Sequence, residues 1–212
     1  MTRGMLFSQM EPPRGWEADF NDWYETEHIP ARMALDGFEC ATRYRAVRGT
    51  PAYLAVYELS DLAVLSSEVY RRIKEQPSER TERMLSNVHG FTRFTCELVA
   101  DRGSDARGRY LSAVAFEVPE PDRASFDDWY ESEHVPALLR ADDWLRVRRL
   151  FVRSGSGAPW SHIALHELAS LEVMDSPERA AARVGPKRDA LAGRAWFERS
   201  GRWLYEAVSR HR

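Results

Sequence analysis

The chain has 212 residues, of which 43% are hydrophobic and 30% charged, and its formal net charge is -3. This is the make-up of a globular protein with room for one larger domain or two of about 100 residues, and it offers no basic field for nucleic acid. Its two cysteines, Cys40 and Cys96, lack CxxC spacing, and no apolar run approaches the roughly 18 residues of a membrane helix.

Met5 to Met10 reads as a short strand closed by Glu11-Pro12-Pro13. A helix is predicted from about Trp16 to Ile29, ending near His28 because Pro30 pushes the residue before it out of the α region. Phe38 to Val47 and Ala52 to Leu59 read as a hairpin around Arg48-Gly49-Thr50-Pro51. Ser60 or Asp61 can cap a helix running to about Ser86, irregular near Pro77, before a strand from Phe91 to Val99. The order is βαββαβ. After a polar stretch it recurs: Tyr110 to Val118, a helix over Ala124 to Val135, a hairpin of Trp144 to Arg153 and Ser161 to Leu168, a helical stretch to about Ala192 broken at Gly185-Pro186, and Trp203 to Val208. The N-terminus lacks a signal-peptide core, so a cytoplasmic protein is expected.

Phe20 to Ala31, FNDWYETEHIPA, recurs 106 residues later as Phe126 to Ala137, FDDWYESEHVPA, with nine of twelve positions identical. Such self-similarity implies a tandem duplication. The expected fold is α+β: two ferredoxin-like βαββαβ repeats, residues 1–102 and 108–212 joined by a linker at 103–107, packed sheet to sheet as an intrachain barrel. At 100° per residue Phe20, Trp23, Tyr24, Glu27 and Ala31 share one stripe, and Phe126, Trp129, Tyr130 and Glu133 repeat it.

The helix pattern F-x-x-W-Y-x-x-E-H-x-P on such a repeat resembles the dimeric α+β barrel superfamily, near its EthD-like members. The resemblance covers nearly the whole chain and is more specific for fold than for reaction. In EthD-like relatives a histidine at this helix end borders a cavity between helices and sheet, which implies His28 and His134 here. It also implies cofactor-free acid–base chemistry on an apolar or aromatic substrate with an acidic C–H, of isomerase, cyclase, decarboxylase or monooxygenase type. Haem-binding members exist, and His28, His89, His134 and His166 are the residues that could ligate iron.

The residues themselves leave alternatives open. Imidazole transfers protons near neutral pH, but His28 and His134 could equally cap their helices. Glu27 and Glu133 could carry protons beside the histidines, or pair with Arg43 and Arg149 on the second strands. Tyr24 and Tyr130 could orient a substrate oxygen, with Trp23 and Trp129 as core. On the third strands Tyr53 and Tyr57 match His162 and His166; these lie about 13 Å apart at i, i+4, too far to share one metal, and could face solvent on an edge strand. His89 has Glu198 in its place in the second copy. Two unlike walls predict two cavities of different polarity, with the first half as the main working site. There is no Walker A loop, GxGxxG, HExxH or GxSxG motif and no cluster with metal spacing. The expected partners are a small molecule and at most a second copy, with no cofactor, nucleic acid or membrane. The rival reading is a non-catalytic ligand-binding or scaffold protein.

Overall fold

The computed structural model describes residues 3–212. It is a mixed α+β protein that divides into two compact units. One comprises Met1–Glu97, Arg153–Ala158 and Val208–Arg212, and the other Leu98–Val152 and Pro159–Ala207. The division falls within the fourth strand, which runs from His89 to Gly103.

In the first unit the elements are β1 (Gly4–Glu11), α1 (Glu17–Trp23), α2 (Ile29–Met33), β2 (Phe38–Arg48), β3 (Tyr53–Leu59), α3 (Glu68–Glu75), α4 (Glu79–Asn87) and β4 (His89–Gly103). The sheet order is β2-β3-β1-β4, antiparallel throughout. The second unit follows with β5 (Tyr110–Phe116), α5 (Arg123–Trp129), α6 (Val135–Leu138), β6 (Trp144–Ser156), β7 (His162–Leu168), α7 (Pro177–Ala181), α8 (Pro186–Leu191), α9 (Ala195–Glu198) and β8 (Ser200–His211). Its pairings repeat the order as β6-β7-β5-β8. The third strand of each unit is therefore internal. His162 and His166 are buried, and the edge-strand alternative is excluded.

The motif helix departs from expectation at its proline. It does not stop at His28. It widens into a π segment, Tyr24–His28, and continues as α2; Tyr130–His134 does the same before α6. The Ile29 N–H reaches the Tyr24 carbonyl five residues back. In an unbroken α-helix the proline ring would strike the carbonyl four residues earlier. One inserted residue removes that clash and places Pro30 in the first turn of a new α segment, where no donor is required. The insertion also rotates the stripe: Phe20, Trp23, Tyr24 and His28 are buried, while Glu27 moves to the margin.

The second predicted helix breaks into α3 and α4. Ser67 and Ser78 cap them by accepting from the Tyr70 and Thr81 amides. In each unit the aromatic stripe meets one sheet face. Phe20, Trp23 and Tyr24 cluster with Leu6, Met10, Tyr53 and Tyr57; Phe126, Trp129 and Tyr130 cluster with Phe116, Val147, Ala164 and Leu168. Among the described residues no helix is long and apolar enough to cross a membrane.

Candidate functional site

The arginines of β2 and β6 fix helix to sheet. Arg43 bonds Glu25 and Asn21, both at 2.6 Å, with its guanidinium 4.4 Å from the Tyr24 ring centre. Arg149 repeats this with Glu131 at 3.0 Å, Asp127 and the Tyr130 ring at 4.8 Å. The predicted partners Glu27 and Glu133 are elsewhere. Glu27 accepts from the hydroxyls of Ser78 and of Thr81, the latter at 2.6 Å. Those bonds, led by Ser78, hold its pKa below the usual carboxylate value. Glu133 accepts the first amides of α8, from Lys187 at 3.2 Å and Arg188 at 3.4 Å. Gly185, at φ +142°, makes room for it, since a Cβ there would lie 2.7 Å from the Glu133 carboxylate. Neither glutamate lines the cavity beside its neighbouring histidine. Both tie helices together, because the π segment turned histidine inward in their stead.

Each unit has a cavity between its helices and its sheet. In the first it measures about 140 Å³, and its wall includes Leu6, Met10, Tyr24, His28, Arg32 and Tyr57. His28 packs 4.3 Å from the Trp23 ring and 4.8 Å from Tyr24. Its Nδ1 and the Tyr57 hydroxyl are buried without a hydrogen-bond partner. Burial pushes the His28 pKa well down, aided by Arg32 and Arg43, so the ring is neutral. Burial raises Tyr24 to about 12 and Tyr57 further, so both phenols stay protonated. Arg32, which the sequence reading passed over, is buried in this wall and donates to the His28 carbonyl at 2.8 Å. Its spacing of i, i+4 from the histidine was the available signal.

Tyr53 lies outside this cavity. Its hydroxyl donates to Glu17 at 2.6 Å and accepts from Asn21 at 3.1 Å. His89 is exposed at the start of β4 and also lies outside. Of Tyr24, His28, Tyr53 and Tyr57, three line this cavity and Tyr53 does not.

The second cavity, about 90 Å³, is lined by Trp129, Tyr130, His134, His166, Phe116 and Phe197, with arginines at its rim. The His134 Nδ1 bonds the Ala182 carbonyl at 2.8 Å, which requires the proton on that nitrogen. His166 Nδ1 accepts from Trp144 Nε1 at 3.2 Å, so its proton sits on Nε2. Burial leads the shift that brings His134 to about 4 and His166 well below its ordinary value. His162, four residues earlier on β7, instead lines a separate hollow with Asp127, Glu131 and Arg149, and its Nδ1 meets the Ser161 hydroxyl at 2.9 Å. The cavities thus differ in lining: phenols, one free imidazole and Arg32 in the first, two engaged imidazoles and a larger group of arginines in the second.

Neither cavity suits haem. Both are below the roughly 300 Å³ at which pockets for drug-sized ligands begin, and a porphyrin is larger still. His166 presents a protonated Nε2, and His89 is at the surface. Among the described residues no three His, Cys, Asp or Glu are grouped to hold a metal ion.

No protein-family model matches the chain, and no curated protein matches it. Solved structures do. An anthrone oxidase-like protein superposes with a TM-score of 0.70 at 13% identity, over 99% of this chain and 92% of that one. A candidate monooxygenase from Fusobacterium nucleatum gives 0.67 at 7% identity, over 99% and 94%. A chlorite dismutase from Candidatus Nitrospira defluvii, solved as a mutant with cyanide, gives 0.60 at 11% identity, over 98% and 91%. At such identities the likeness is one of fold alone.

Proposed function

We propose that the chain is a small-molecule enzyme of the cofactor-independent, EthD-like kind, working by proton transfer in the His28 cavity. The observation that carries this is the pair of buried, unpartnered polar atoms, His28 Nδ1 and the Tyr57 hydroxyl, on one largely apolar wall. Leaving two such groups unsatisfied costs stability, on the order of 1–3 kcal/mol each, unless a ligand completes them. A cavity of about 140 Å³ is on the scale that takes a single aromatic ring.

The chemistry follows from the protonation states. Neutral His28 accepts a proton from an acidic C–H beside a carbonyl. The C–H electron pair passes to the carbonyl oxygen as an enolate. Tyr57, still protonated, donates a hydrogen bond to that oxygen, and the Arg32 cation beside it favours the charge. Return of the proton from His28 to another carbon gives an isomer. A monooxygenase outcome starts from the same enolate and takes molecular oxygen as oxidant, one oxygen atom becoming a new carbonyl at the deprotonated carbon and the other leaving as water with that carbon's two hydrogens. The anthrone oxidase-like and candidate monooxygenase neighbours support a substrate of this enolisable, aromatic class.

The test is hydrogen exchange of phenylacetone in D₂O, followed by NMR. The protein should accelerate loss of its benzylic C–H signal, His28→Ala should abolish the acceleration, and Tyr57→Phe should cut it about tenfold or more. The scaffold reading wins if both variants lower the melting temperature strongly while exchange in the wild type never exceeds the buffer rate.

A further inference from the structure

We propose that the second cavity is a binding site for a small organic carboxylate, its head held at the rim by Arg183, Arg188, Arg202 and the Trp129 indole N–H, its short apolar body against Phe116 and Phe197. This site is separate from the His28 cavity and does not depend on the reading given for it.

No carboxylate lines this cavity. Arg183 has neither a hydrogen bond nor an ion pair from its guanidinium among the described residues. Arg202 donates to the Ser200 hydroxyl at 2.9 Å, and the one carboxylate near the Arg188 guanidinium is its exposed neighbour Asp189, at 4.0 Å, while that guanidinium lies 5.7 Å from the Phe197 ring centre. The three cations act on one another: burial leads the lowering of the Arg202 pKa, and Arg183 and Arg188 add to it, against the opposing pull of Tyr130 and Glu198. Three cations meet here with only Glu198 and the exposed Asp189 as opposing charges, neither of them lining the cavity, and that excess of positive charge favours an anion.

The indole supplies an independent observation. Trp129 is 3% exposed and its Nε1 has no acceptor, whereas the equivalent Trp23 Nε1 donates to Thr81 at 2.9 Å. His166 offers a further N–H, because its Nδ1 is occupied by Trp144. Donors and cations therefore outnumber acceptors around one cavity, the complement of a carboxylate. The volume of about 90 Å³ restricts the apolar body to a few carbons.

The experiment follows the Trp129 indole resonance in ¹H–¹⁵N spectra, identified with Trp129→Phe, while butyrate or its neutral counterpart butyramide is titrated. Butyrate should give a saturable downfield shift of that proton, with butyramide binding about tenfold more weakly or worse. The double variant Arg183→Gln/Arg202→Gln should weaken butyrate by about tenfold or more, with its melting temperature unchanged or raised because repulsion is relieved. Restoring charge with Arg183→Lys/Arg202→Lys should recover part of the affinity. Equal binding of the two probes, an affinity unaffected by the glutamine variant, or a response abolished by Arg32→Gln but not by the double variant would overturn the assignment.

Discussion

His134 donates its Nδ1 proton to the Ala182 carbonyl at 2.8 Å, whereas His28, at the same place in the first repeat, leaves Nδ1 without a partner. One imidazole is committed to holding a loop and the other is free to meet a ligand.

The two alanine variants should therefore separate. His28→Ala and His134→Ala both lose ring packing, but His134→Ala also strands a carbonyl and should unfold about 1 kcal/mol more easily in urea. Loss of proton-exchange activity should be confined to His28→Ala. Equal activity losses in both would sink the assignment to the first half, and loss in His134→Ala alone would reverse it.

Glu27 should matter for stability and not for chemistry. It joins the π segment to α4 through Ser78 and Thr81. Glu27→Ala should cost about 1 kcal/mol in denaturant titration and leave exchange rates within about twofold. A folded Glu27→Gln variant without activity would make Glu27 a proton carrier after all.

The Arg148–Glu167 pair is the most deeply buried ion pair of the second unit, at 2.6 Å with side chains 1% and 0% exposed. Arg148→Met should cost about 3 kcal/mol, since it leaves the buried Glu167 carboxylate only the more distant Arg107, at 3.9 Å, as a counter-charge. The double variant Arg148→Met/Glu167→Leu should be less destabilised than Arg148→Met alone. Recovery should be partial, since Glu167 also accepts the Gly108 amide at 3.0 Å. A double variant as unstable as the sum of the two single changes would contradict the pairing.

Acid should loosen the fold through its imidazoles before its carboxylates. His134 and His162 are lowered to about 4, and His28 and His166 also lie below the ordinary histidine value near 6.5. Between those values the unfolded chain binds more protons than the folded one, so stability rises with pH across the window. The contribution is complete above pH 6.5 and is lost as pH falls towards 4. The urea midpoint at pH 5 should lie clearly below that at pH 7, and His166→Gln should flatten the dependence. A midpoint that held steady over this range would refute the neutral, buried state of these rings.

The recurrence of the motif, the α+β class, the βαββαβ order and the aromatic stripe were legible in the chain itself, because repeats and hydrophobic period are local properties. So was the candidacy of His28 and His134, through the motif. What the chain could not disclose was the turn of the helix at Pro30 and Pro136. A proline announces a break, but whether the helix ends or takes in an extra residue depends on what α2 and α6 have to cover. That choice rotated the histidines inward, sent Glu27 and Glu133 to neighbouring helices, and left Arg43 and Arg149 to pair with Glu25 and Glu131. Likewise Tyr53 and Tyr57 share a strand face, yet only Tyr57 reaches the cavity, since four residues' rise, about 13 Å, carries a side chain past a cavity one ring wide. The arginines around His134 come from α7 to β8 and the loops between them, segments whose proximity exists only once the second unit has folded.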